Sequence, residues 1–143
     1  MATAHQISLS LYSTSRLFIQ LIQSRLSESG LTYPQFLVLS VLWESDGQNV
    51  HQIGEKLHLD SGTLTPLLKK LETLNYVQRI RSKEDERVVH IELTYPGKSL
   101  QSNVENTLKE LDASFENFPE LKFEELNHSL FNVLETVQTL KNN

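Results

Sequence analysis

Apolar residues at Ile7, Leu11, Phe18, Leu21, Ile22 and Leu26 recur mostly at helical spacing, with a polar gap at Thr14–Ser15, and predict an amphipathic helix over 5–29. Gly30 supplies a natural stop, Thr32 a cap and Pro34 a first-turn residue for a second helix. That helix, YPQFLVLSVLWES, is apolar around most of its circumference (Phe36, Leu37, Leu39, Val41, Leu42, Trp43), as expected of the buried centre of a small α domain. Asp46–Gly47 ends it. Asn49 then caps a short helix, about 50–58, with Val50, Ile53 and Leu57 inward. Asp60 and Ser61 offer caps for the next, about 61–75, whose apolar stripe is Leu64, Leu67, Leu68, Leu71 and Leu74.

The period changes at Tyr76. Residues 76–81 alternate, with Tyr76, Gln78 and Ile80 on one side, and residues 87–94 alternate with Val89, Ile91 and Leu93 on one face. The polar SKEDE between them completes a β-hairpin. Thr94 and Pro96 restart a helix that continues through Leu100, Val104, Leu108, Leu111 and Phe115. A break at Asn117–Pro119 precedes a last helix with Leu126, Leu130, Val133 or Leu134, Val137 and Leu140. The expected fold is mainly α with a small β-hairpin. It is a winged helix-turn-helix over 32–97 with flanking helices in 1–30 and 98–143, read as one domain over 1–143. The flanking helices carry more leucine and aromatic positions than such a domain can cover by itself, so they are expected to pack across a two-fold axis.

A chain of 143 residues can bury a core without staples. The absence of cysteine excludes disulfides, thiolate metal sites and thiol catalysis. No apolar run approaches the roughly 18 residues of a membrane span, and MATAHQISLS lacks the basic start and apolar block of a signal peptide. A cytoplasmic location is therefore expected. The net charge of −5 rules out a globally basic polyanion binder, but the charge is uneven. Residues 1–49 carry two basic against three acidic groups, 50–98 eight against seven, and 99–143 three against eight. Only the middle third lacks an acidic excess, and it holds Lys69, Lys70, Arg79, Arg81, Lys83 and Arg87. A polyanion would be met there.

The second helix of the helix-turn-helix is the element that enters a major groove in this architecture. Opposite its leucines it carries Thr65, Pro66, Lys69, Lys70 and Thr73, with Ser61 and Thr63 near its start. Small hydroxyl side chains permit close approach, and lysines supply the salt-dependent attraction. The same composition also describes an ordinary solvated face. The hairpin distinguishes the two. Its loop mixes Glu84, Asp85 and Glu86 with Arg81, Lys83 and Arg87, and acids on a DNA-facing wing make sense where one holds an arginine in place. Asp85 and Arg87 are two apart, on one face of extended backbone, so Asp85 is read as the support of an Arg87 that enters the minor groove.

At this point the chain resembles the MarR family of bacterial transcription regulators over nearly its full length. The resemblance is carried by LDSGTLTPLLKKLE (59–72), DER (85–87) and LTYPG (93–97). LTYPQFLVLSVLWE (31–44) narrows it to the OhrR-type branch, which senses organic hydroperoxides, and its staphylococcal relatives. The resemblance implies a homodimer built on the terminal helices, binding an inverted-repeat operator in double-stranded DNA, usually as a repressor released by a signal. It implies DNA contacts at Ser61, Thr63, Thr65, Lys69 and Arg87, with Asp85 steadying the wing; Pro66, Lys70, Arg81 and Lys83 complete the expected surface. It also implies a reactive cysteine in the first helix. Here Ser8 occupies that position, while Tyr12 and Tyr33 match family tyrosines around the thiol and Ile22 replaces a third. A serine is not oxidised on the sulfur ladder. Two origins account for Ser8: an exchange of the cysteine that locks the DNA-binding form, or natural loss of the sensor. The retained tyrosines and the isosteric replacement favour the first.

Other classes fit less well. For an enzyme, Ser8 has only His5 nearby as a base and no triad pattern around it. For a metal sensor, His51, Glu55 and His58 share a helix face but match known site spacings weakly, so no metal or cofactor is expected. A purely helical interaction protein would use the long terminal helices without DNA. Within the family reading, a small phenolic ligand or a metal is the alternative signal to thiol oxidation.

Overall fold

The computed structural model describes residues 1–143. Helix α1 spans Thr3–Leu26, followed by a 3-10 turn at Ser27–Ser29, so the first helix ends three residues before the expected limit. Gly30 takes the left-handed conformation (φ 73°) that closes this turn. Helix α2 (Tyr33–Glu44) starts on a capping box in which Gln35 N–H donates to Thr32 Oγ1 and Thr32 N–H donates to Gln35 Oε1. The exchange satisfies the one polar side chain in the buried core. Val38, Leu39, Val41 and Leu42 of α2 are all buried, as its apolar circumference requires.

Strand β1 (Gln48–Asn49) leads into α3 (Val50–Leu57), which has a second capping box, Asn49 with Gln52. His58 turns the chain in the left-handed region (φ 54°), and Asp60 caps α4 (Ser61–Thr73). Strands β2 (Val77–Arg81) and β3 (Val89–Leu93) form the hairpin, followed by α5 (Tyr95–Phe115) and α6 (Phe123–Asn142). The sheet has three strands in the order β1-β3-β2, all antiparallel, rather than the two of a bare hairpin. β1 escapes sequence reading because two residues carry no alternation; its pairing of Gln48 with Ile91 exists only because the α2–β1 turn lies against β3. Asp46 Oδ1 holds that turn in place, accepting from Gly47 N–H and Leu93 N–H.

The core joins Leu26, Leu31, the inner face of α2, Ile53, Leu64, Leu68, Leu71, Val77, Ile91, Leu93 and Val104. Each such side chain contributes on the order of 1.5–3 kcal/mol of transfer free energy. In β2 the inward residue is Val77; Ile80, on the side shared with Gln78, is 40% exposed. In β3 the expected face holds: Ile91 and Leu93 are buried and Val89 is half-buried against the core.

Among the glycines, Gly97 makes the tightest backbone approach. A Cβ there would collide with the Tyr76 carbonyl oxygen, which already accepts Thr94 N–H, while the Gly97 carbonyl accepts Trp43 Nε1–H at 2.9 Å. Neither side of the contact is a flexible side chain. Gly97→Ala is expected to destabilise the fold by roughly 1–3 kcal/mol or more. A urea titration giving the parent midpoint would refute this.

The chain divides into two compact units, Met1–Leu108 and Lys109–Asn143. In the first, α1 buries only Leu26 and leaves Ile7, Leu11 and Phe18 exposed. In the second, Phe115 and Phe123 pack ring on ring at 4.8 Å, and α6 buries none of its residues, leaving Leu126, Leu130, Val133, Leu134, Val137 and Leu140 open. No helix is long and apolar enough to cross a membrane.

Candidate nucleic-acid interface and sensor position

The wing is a loop closed by its own hydrogen bonds. Ser82 N–H donates to the Val88 carbonyl and Val88 N–H to the Asp85 carbonyl. Ser82 Oγ accepts from Glu84 N–H and Asp85 N–H, and Arg81 Nη1 donates across the hairpin to the Glu86 carbonyl at 3.1 Å. Within this frame Asp85 Oδ1 accepts from both the backbone N–H and Nε–H of Arg87, at 3.1 and 3.2 Å, and Oδ2 lies 3.4 Å from Nη2. The Arg87 side chain and then its backbone N–H hold the Asp85 carboxyl below the usual carboxylate range. Arg87 itself is 90% exposed. The expected pairing is present, an arginine oriented but not covered, yet it forms in a turn at Glu86–Arg87 and not on the extended backbone that the spacing of two suggested.

Arg81 and Lys83 are exposed on the same hairpin. Arg81 plays a part that residue type alone did not indicate, since one guanidinium nitrogen braces the wing. Ser82 was likewise missed; its only sequence signal is a hydroxyl at the start of a polar turn, which is common to many turns.

On α4, Leu64, Leu68 and Leu71 face the core. Ser61, Thr63, Pro66, Lys69, Lys70 and Thr73 are exposed, and Thr65 is half-buried. Pro66 stands inside the helix on this open face, where its missing N–H leaves the Gly62 carbonyl without its intrahelical donor. Thr63 N–H donates to Asp60 Oδ1 at 2.7 Å, and that bond, with a second from the Thr63 hydroxyl, holds the Asp60 carboxyl low. The cap thus fixes the first turn of α4. α4 and the wing lie in the same compact unit.

The sensor position is less assembled. Ser8 is exposed on α1, and its Oγ donates to the His5 carbonyl at 2.8 Å. The Tyr12 ring is 63% exposed, with the Arg16 guanidinium 5.5 Å from its centroid. Tyr33 sits at the start of α2, tilted against Phe36 at 6.0 Å, with its backbone N–H donating to Gln23 Oε1. Burial raises the Tyr33 phenol, so it stays protonated and able to donate at neutral pH. The single chain brings Ser8 into hydrogen bonding with neither tyrosine.

His51 Nε2 lies 3.1 Å from Glu55 Oε1, both well exposed, and no group of three His, Cys, Asp or Glu is placed to hold a metal ion. An open groove of about 350 Å³ between α2 and α5 is lined by Phe36, Trp43, Val104 and Leu108, with Glu44 and Glu105 at its sides.

A core built on α2, a helix-turn-helix of α3 and α4, and a three-stranded sheet ending in an exposed, braced arginine define a winged helix-turn-helix protein. Residues 20–104 match the family described as transcriptional regulator SarA/Rot, and the chain belongs to that family of MarR-like regulators. Its members are transcriptional regulators rather than enzymes. The chain is 39% identical over 140 residues to the organic hydroperoxide resistance transcriptional regulator of Bacillus subtilis, covering 96% of this chain and 92% of that one. It is 47% identical over 100 residues to the regulator TtmR of Methylorubrum extorquens, a match over 70% of this chain but about half (51%) of TtmR. Among solved structures, reduced AbfR bound to DNA superposes with a TM-score of 0.83 at 36% identity, over 96% of this chain and 93% of that one.

Proposed function

We propose that this protein is a cytoplasmic, homodimeric repressor of the organic hydroperoxide type that binds an inverted-repeat operator through α4 and the wing. The observation that carries the reading is the Arg87 side chain, held by Asp85 and left open to solvent in the same compact unit as the exposed lysines of α4. Full-chain likeness to a hydroperoxide resistance regulator and to a DNA-bound AbfR supports it. The DNA-facing residues are Ser61, Thr63, Thr65, Pro66, Lys69, Lys70, Lys83 and Arg87. With Ser8 in place of a thiol, this chain is constitutively bound. The α2–α5 groove, lined by Phe36, Trp43, Val104 and Leu108, supports the alternative signal, a small phenolic ligand.

The uncovered apolar residues of α1 (Ile7, Leu11, Phe18) and α6 (Leu126, Leu130, Val137, Leu140) support the dimer. The whole chain is the dimerising unit, with 1–30 and 98–143 forming the interface and 32–97 the DNA-binding core. Two copies of α4 then stand about 34 Å apart, one turn of DNA. Sedimentation at micromolar concentration is expected to give a dimer alone. With a duplex from the DNA upstream of its own gene, it is expected to give one dimer per duplex, lost at high salt. A monomer, or a dimer that ignores the duplex at low salt, sinks the reading.

A further inference from the structure

Glu72 breaks two local rules. It lies in the last turn of α4, where the helix dipole disfavours an anion. It also follows Lys69 and Lys70 on the helix assigned to phosphate and bases, where a carboxylate repels the ligand. Burial does not explain it, because the residue is exposed.

One contact does. Glu72 Oε2 accepts the backbone N–H of Arg79 at 3.2 Å. β2 is an edge strand, paired only with β3, so its other side presents unpaired amide groups. Glu72 therefore joins the end of α4 to the open edge of the wing's first strand. The corner between them is already tight: Leu74, Asn75 and Tyr76 N–H donate to the carbonyls of Lys70, Glu72 and Leu71, with Asn75 left-handed at φ 61°. That corner sets where β2 begins. Thr94 also holds the corner, its N–H on the Tyr76 carbonyl and its Oγ1 on the Asn75 carbonyl, and Val77 is buried; Glu72 adds an anchor further along the strand, at Arg79, nearer the wing. The ladder pairing Arg79 with Ile91 and Arg81 with Val89 carries the fixed direction up to the wing tip.

We propose that Glu72 is a positioning residue for DNA binding: its carboxylate clamps α4 to the wing so that the α4 face and Arg87 engage one duplex together. This rests on the DNA-binding reading above. A carboxylate that only protected the strand edge would affect stability without any link to Arg87.

The test uses the full chain and the duplex from upstream of its own gene, with affinity read by fluorescence anisotropy at one fixed salt concentration. Glu72→Gln and Glu72→Ala are each measured alone and combined with Arg87→Ala, with thermal unfolding alongside. Both substitutions remove the negative charge, which by itself tightens binding. Only glutamine keeps an oxygen able to accept from Arg79. Glu72→Gln is expected to bind at least as tightly as the parent. Glu72→Ala is expected to bind roughly five- to tenfold more weakly than Glu72→Gln, the effect of one ordinary hydrogen bond. In the Arg87→Ala background that difference should vanish, because a wing that no longer touches DNA gains nothing from being aimed. Equal affinities for the two Glu72 variants, or a difference that persists in full without Arg87, overturn the proposal. A parent that binds no duplex overturns the DNA reading and takes the proposal with it, a result distinct from a binding parent whose Glu72 variants match.

Discussion

Arg87→Ala is expected to weaken binding to an operator duplex by roughly 5- to 150-fold, the range of a contact worth about 1–3 kcal/mol, with no change in thermal unfolding. The stability half of this expectation follows from exposure. Arg87 is 90% exposed, its ion pair with Asp85 lies at the surface, and such pairs contribute little to folding. The binding half follows from preparation. The guanidinium donates from Nε and Nη2 to Asp85 before DNA arrives, and the Arg81–Glu86 and Ser82 contacts hold Asp85's loop, so less side-chain entropy remains to be lost on binding. Asp85→Asn should weaken binding by less, since an amide oxygen can still accept but carries no charge. The pH dependence has a definite sign. The Asp85 carboxyl is depressed in the folded chain, so its hold on Arg87 is complete above the ordinary Asp value near 3.9. The hold is lost only as pH falls through the lower folded value. Binding should thus show no wing-dependent change between about pH 5 and 8. An Arg87→Ala variant with parental affinity in a salt titration would place the recognition surface elsewhere.

Ser8→Cys is expected to create hydroperoxide-induced release in a protein that otherwise lacks it. In the parent, Ser8 Oγ is a neutral hydroxyl on an exposed turn of α1, donating to the His5 carbonyl, and peroxide has no thiol to oxidise because the chain contains no cysteine. A thiol at this place reacts only as thiolate. Tyr12 stands one helical turn further along α1, and the Tyr33 phenol stays protonated at neutral pH; these are the two donors that the sensor assignment requires for that thiolate. With one thiol per chain and no resolving partner, the first product should be a sulfenic acid, which an added small thiol condenses to a mixed disulfide with loss of water. Anisotropy of labelled operator during a cumene hydroperoxide titration should fall for the Ser8→Cys form and stay flat for the parent. Release of the parent by peroxide contradicts the assignment of Ser8. So does a cysteine form that stays bound after mass spectrometry shows its thiol oxidised.

The helices and their caps are local, and the sequence by itself determined them. Thr32, Asn49 and Asp60 each satisfy free amide groups of the turn that follows, an interaction complete within four residues. The Asp85–Arg87 pair is local too, but its cause is a turn rather than extended backbone: Val88 N–H bonds the Asp85 carbonyl and Arg87 N–H bonds Asp85 Oδ1, which brings the two side chains together. The buried stripe of α4 and the inward face of β3 were equally readable, since both follow from period alone. What only the tertiary structure decided lies where distant segments meet. β1 exists through its pairing with β3, and the inward side of β2 is fixed by Val77 packing under α4 rather than by the weak alternation of YVQRIR. The Trp43–Gly97 bond spans 54 positions and Asp46–Leu93 spans 47. Nothing in the sequence around Glu72 signals its bond to Arg79, seven positions on. Such contacts leave no periodic trace, because each joins one side chain to one backbone group, and chain folding alone brings the two together.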